Sequence, residues 1–276
     1  PLTRRGPWAA IAGLALGVGC QQVHSSGLSR NHLDLAHRPA PAESARYARA
    51  VELAAAAGPE AISRDLLALS PNQDGTWKDI DGKSHVLVAT WTSYTGYPGP
   101  GQACQDHEHE IWVTAVPQLR SFVREYRPGG RAPTEQQLSD RLEQLLGLPP
   151  HADHSLVVEM WVPPERLFRP SADPDIADHE AQLHFPGVVA ADPSLATAYL
   201  AVSPAYRRWY EGQRRARYHP GTGMPYPWTR LGYTFDWGNP EGPVGLSEFV
   251  VMSGTTVVIA SKTATRAYGR EELLQD

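Results

Sequence analysis

Cysteine is nearly absent from this chain of 276 residues, which carries Cys20 and Cys104 and no others. Two cysteines close at most one disulfide, so neither a disulfide framework nor a four-cysteine zinc site can form. Lysine is scarce as well: of 25 basic residues only Lys78, Lys83 and Lys262 are lysines, which leaves few candidates for a lysine nucleophile. Positive charge is in deficit, and a net value of −5 provides no global basic field of the kind that holds nucleic acid. Neither a G-x-S-x-G elbow nor an H-E-x-x-H helix occurs, which removes two common hydrolase signatures. Backbone punctuation, by contrast, is abundant. With 24 Gly and 25 Pro beside 41% hydrophobic residues, the chain reads as a loop-rich globular protein long enough to bury a sizeable core.

The N-terminus carries a targeting pattern. Arg4 and Arg5 precede an apolar stretch from Trp8 to Gly19, too short for the roughly 20 residues that cross a bilayer and suited to the apolar region of a signal peptide. The ending Gly17-Val18-Gly19-Cys20 resembles the lipobox of bacterial lipoproteins, with Leu16 one place before that family's usual Leu. The resemblance implies cleavage of a signal peptide over residues 1–19 and attachment of acyl chains, such as palmitate, to Cys20. Gln21, a residue other than Asp, implies outer-membrane sorting by the same resemblance. Residues 20–41 then read as a lipidated cysteine and tether, ending in Arg38-Pro39-Ala40-Pro41. Several acyl chains at about 0.8 kcal/mol per buried CH2 make a stable membrane anchor. In that oxidising compartment Cys104, left without Cys20, must be buried, pair with another molecule or hold a metal.

Residues 42–276 read as a single α+β domain, with a mainly antiparallel sheet and several short helices on one side. A helical start is expected over 42–69, interrupted at Gly58-Pro59, and a hairpin over 76–91 turning at Asp81-Gly82. The main sheet region is expected over 105–270. Within it Thr134 and Gln137 make a capping box before a helix with an apolar face at Leu138, Leu142 and Leu145. Helices are also expected over 117–126, 193–200 and 204–218, with strands near 110–116, 156–162, 183–185, 229–237, 247–252 and 255–261. Glu110-Ile-Trp-Val and Glu159-Met-Trp-Val form an internal echo, as if two strands held related places in one sheet.

Three constellations carry chemistry. Cys104, His107 and His109 supply soft and nitrogen ligands within six residues, a set suited to zinc if 107 and 109 share a strand face. Asp178, His179 and His184 are more distant candidates, and His151, Asp153 and His154 a poorer cluster. Towards the C-terminus, Arg230, Asp236 and Glu248 are charged groups embedded among Trp228, Tyr233 and Trp237, where burial is costly unless they pair or work. One reading is a structural Arg230–Asp236 pair on one strand. The other is a ligand site on an aromatic floor, with Arg230 binding an anion and Glu248 acting as base or nucleophile. For a carbohydrate, Asp236 and Glu248 would be the acid/base pair. The third constellation is a helix carrying Arg207, Arg208, Arg214, Arg215 and Arg217, either a solvated face paired with carboxylates such as Asp173, Asp175 and Asp178 or a patch for lipid headgroups or polyanionic glycans.

The run from Glu248 through Gly254-Thr255 is similar to the segment of arginine-type mono-ADP-ribosyltransferases in which a catalytic Glu opens an apolar strand. That resemblance implies a catalytic Glu248, although the family's companion acid is Leu246 here and no Ser-Thr-Ser strand is visible. The expectation is therefore an exported, lipid-anchored envelope protein that binds a ligand or partner through its aromatic and charged C-terminal region. The alternative is an extracytoplasmic enzyme, a metal-assisted hydrolase among the options.

Overall fold

A computed structural model describes residues 40–71, 74–105, 109–186, 202–219, 225–239 and 241–269. The expected signal peptide, Cys20, nearly all of the tether, His107 and the helix over 193–200 lie outside the described residues. The fold is α+β, and the described residues form four α-helices and a nine-stranded sheet whose strand pairs are all antiparallel.

The hairpin is the most local part of the design. Strands β1 (Trp77–Ile80) and β2 (Lys83–Thr92) are joined by Asp81 and Gly82 at φ 53° and 74°. Two successive positive φ values match the right-handed twist of the flanking strands, which is why Asp-Gly serves there. Strand β2 then becomes the centre of the sheet, flanked by β4 (Ile111–Ala115) and β5 (Leu156–Val162), the two echoing segments. Trp112 and Trp161 both turn toward the helices, while Ile111, Val113, Met160 and Val162 enter the opposite core. Beyond β5 come β9 (Val257–Ala264) and β3 (Ala103–Cys104). Beyond β4 comes β8 (Val244–Val251), which pairs on its far side with β6 (Leu167–Phe168) and β7 (Tyr233–Phe235).

Alternation along these strands buries both faces. On one, Val86, Val88, Val158, Met160, Phe249, Val251 and Ile259 pack under loop residues such as Leu69 and Tyr97. The other carries the helices. Helices α2 (Val116–Glu125) and α3 (Glu135–Leu145) cover Leu87, Trp91 and Val157, and α4 (Pro204–Tyr218) covers Trp112, Trp228 and Val250. At about 1.5–3 kcal/mol for each large apolar side chain buried, these layers dominate the fold's stability. The capping box forms, with Gln137 N donating to Thr134 Oγ1 and Thr134 N donating to Gln137 Oε1. Helix α1 (Pro41–Ala55) lies apart, against Phe235 and Trp237 and in contact with α4.

Three expectations need correction. The helical start ends at Ala55, followed by a short 3₁₀ turn over Pro59–Ala61, and residues 62–70 form no helix. The amides of Leu66, Leu67 and Leu69 bond instead to His179 O, Ser247 Oγ and Ile176 O, so tertiary partners replace the helical ones. Residues 183–185 form no strand, and Phe185 packs on α4 through the Tyr210 ring. The strand over 229–237 shrinks to Tyr233–Phe235, because Arg230 and Gly232 take positive φ values of 62° and 72°. No helix among the described residues is long and apolar enough to cross a membrane.

Candidate functional site

Strand β8 sets the site by alternation. Phe249 and Val251 go to the loop-covered core, so Leu246, Glu248 and Val250 go to the helix side. An acid in an otherwise apolar strand is thereby carried inside, and Glu248 is only 3% exposed. Its cross-strand neighbour on β4 is Thr114, and Trp112 stands opposite Val250. Above them lies the last turn of α4, where the Arg217 guanidinium covers the rings of Trp112 and Tyr226, at 5.6 and 5.4 Å from their centroids. Tyr218, Tyr226 and Tyr47 of α1 are half-buried around it.

The hydroxyls of these tyrosines are committed to main-chain carbonyls. Tyr47 donates to Pro225 O at 3.0 Å, Tyr226 to Leu146 O at 2.8 Å, and Tyr218 to Trp228 O. Of the eight buried side-chain atoms without a hydrogen-bond partner among the described residues, three lie here: Oε2 of Glu248, Oγ1 of Thr114 and Nε of Arg217. An unmet buried polar atom costs about 1–3 kcal/mol, and native proteins keep few of them. Burial pushes the Glu248 carboxyl up to about 8, with Arg217 pulling it partly back. Burial also raises Tyr226, Tyr218 and Tyr47 above the usual phenol range, so all three hold their protons at neutral pH. The arrangement is a carboxyl floor, a hydroxyl wall and a guanidinium held flat by rings.

The other anticipated residues are distributed differently. Asp236 is in a two-point pair with Arg141 of α3, at 2.8 and 2.6 Å, and also accepts from Gly238 N. Arg230 does not pair with it. Its guanidinium instead donates to Ala54 O and Ala55 O at the end of α1 and lies over Tyr218. Trp228, Tyr233 and Trp237 are buried, with their polar tips donating to Pro170 O, Ala61 O and Leu148 O. Tyr233 and Trp237 also line a groove of about 760 Å³ beside α1. On α4, Arg208, Arg214 and Arg215 face outward, whereas Arg207 lies over Phe185 and Arg217 points into the site. Asp173, Asp175 and Asp178 attend not those arginines but the fully buried Arg169, which donates to Asp175 O, Leu67 O and Asp178 O.

Cys104 is buried in the sheet core, and His109 is exposed just before β4, which starts only at Ile111. The shared strand face expected for residues 107 and 109 therefore has no strand beneath it at His109. His179 meets Leu66 O and Asp74, and His184 is exposed. His151 and Asp153 sit at positive φ in a turn fastened to Glu143, and His154 packs edge-on against Trp91. Among the described residues no group of three His, Cys, Asp or Glu side chains is placed to hold a metal ion.

Sequence reasoning singled out Glu248 and grouped it with Arg230 and Asp236, of which Asp236 pairs with Arg141 instead, and it missed Thr114 and Tyr47. The available signal for Thr114 was strand alternation across β4. For Tyr47 no local signal exists. Comparisons with protein-family models, curated proteins and solved structures found no match.

Proposed function

We propose that the domain binds a small polar ligand at Glu248, and that it does so as an exported envelope lipoprotein anchored through Cys20. The observation that carries the binding reading is the buried, unpartnered Oε2 of Glu248 beside the equally unpartnered Thr114 Oγ1 and Arg217 Nε. Groups of that kind are kept where something else completes them. In a thermal-shift screen of the mature protein against sugars, carboxylates, phosphates and amines, at least one class should raise the melting temperature. The shift should vanish in Glu248→Ala. A panel with no Glu248-dependent shift overturns the reading.

A second reading, an enzyme using Glu248 as general acid or base, is favoured by a carboxyl that titrates near neutrality and so can hold and release a proton there. It predicts that Glu248→Gln still binds the ligand but does not convert it. The anchor is tested separately: globomycin should accumulate precursor, and Cys20→Ser should release the protein from membranes. Unchanged processing with full membrane retention would refute lipidation.

A further inference from the structure

We infer that the ligand of the Glu248 cluster carries an oxyanion, a carboxylate or a phosphate group, and that binding it draws one proton from solvent onto Glu248. This rests on the ligand-binding reading above and narrows it by charge.

The faces of Trp112 and Tyr226 are the natural seat for a cationic ligand, but Arg217 occupies them. A second cation there would meet like charge. The tyrosine protons are committed to Pro225, Leu146 and Trp228 carbonyls, so the rim offers no free phenol proton. What is left is donor capacity. Arg217 Nε–H can only donate, and the Thr114 hydroxyl can donate once it rotates. Arg217 takes part in none of the ion pairs among the described residues, so its charge is held in place without being neutralised. A guanidinium held over two rings can present its donor fork to a carboxylate or a phosphate.

Glu248 decides when such an anion can enter. As a carboxylate it repels a second negative charge; as an acid it supplies one more donor from Oε2. The groups around it are Thr114 from β4, Arg217 and Tyr218 from α4, Tyr47 from α1, and Tyr226, with Arg230 beyond Tyr218. Arg217 is the one whose field favours the ionised form of Glu248. An anion that neutralises Arg217 removes that field, so anion and proton arrive together.

The test is calorimetric titration of the mature protein with acetate and with inorganic phosphate, at constant ionic strength and in two buffers of different ionisation heat. At pH 9 each bound anion should take up close to one proton more than it does in Glu248→Gln, a difference that falls toward none at pH 6, and acetate affinity should be at least tenfold higher at pH 6. Glu248→Gln should keep the anion, lose the pH dependence of acetate binding, and leave with phosphate only that ion's own titration. Arg217→Gln should weaken binding tenfold or more. If that variant does not fold, Arg217→Lys keeps the charge without the planar fork and should still weaken binding several-fold. Preference for acetate or for phosphate identifies which oxyanion the cluster takes. Absence of binding by either anion at pH 6, proton uptake at pH 9 no greater than in Glu248→Gln, or indifference to both Arg217 variants would overturn the inference. A neutral or cationic ligand that binds in a Glu248-dependent way, with no anion binding, would defeat this inference and leave the ligand-binding reading standing.

Discussion

Glu159 and Glu248 are near twins by position and opposites by environment. Each sits in the middle of an apolar strand, each faces the helix layer, and they are 1% and 3% exposed. Glu159 is saturated: Arg120 of α2 donates twice, at 2.8 and 2.5 Å, Ser261 Oγ donates at 2.8 Å, and Tyr268 OH at 2.9 Å. Such a cluster offsets the desolvation of its charges and has no capacity left for a ligand. Glu248 has a wall of rings and an arginine stacked on them, but Oε2 meets no donor. Burial therefore does not distinguish the two acids; unmet hydrogen-bonding capacity does.

The sharpest test of that contrast is Arg120→Ala, which leaves Glu159 charged and unpaired in the core. It should cost about 3–5 kcal/mol by urea unfolding. A loss under about 1 kcal/mol would mean that Glu159 is not the structural member of the pair.

Next is pH dependence. The folded-state value of Glu248, about 8, lies above the ordinary 4.5, so the folded protein holds this proton more tightly than the unfolded chain. Its contribution is therefore most favourable below about pH 4.5 and is lost as pH rises toward 8, by a few kcal/mol at about 1.4 kcal/mol per unit. Glu248→Gln should remove this slope and melt higher than the parent at pH 9. A variant with the parent's slope would show that Glu248 is solvated.

Asp236 belongs on the Glu159 side of the comparison, because Arg141 holds both its oxygens. Asp236→Asn should lower stability by about 2–3 kcal/mol without changing the pH dependence of ligand or anion binding. Loss of binding in a folded Asp236→Asn protein would move it into the site. A smaller effect is expected of Tyr268→Phe, which removes one of four bonds to Glu159 and should cost about 1 kcal/mol in thermal unfolding. The smallest is Thr114→Val. Because its hydroxyl is already unpartnered, stability should move by less than about 0.5 kcal/mol, while anion affinity falls. A destabilisation above about 1 kcal/mol would show that the hydroxyl is satisfied in the free protein.

The sequence made the hairpin legible at Asp81-Gly82, helix α3 at its capping box and helix α4 over Pro204–Tyr218, because each depends on residues within four positions of one another. It also drew attention to Glu248, an acid that strand alternation sends to a buried face. The companions were not legible. Spacing suggested Arg230 for Asp236, yet the chain turns at Arg230 and Gly232, and Asp236 takes an arginine 95 residues away. Glu159 shows the same limit, with partners 39, 102 and 109 residues distant. The stretch around Leu66–Leu69 has helical composition but gives its amides to His179, Ser247 and Ile176.

By itself, then, the sequence determined an acidic, loop-rich α+β chain, its local turns and caps, and the alternation that sends Glu159 and Glu248 inward. Only the tertiary structure decided which of the two acids would be neutralised and which left open. Side-chain saturation depends on groups brought together from far along the chain, and local propensity carries no information about them.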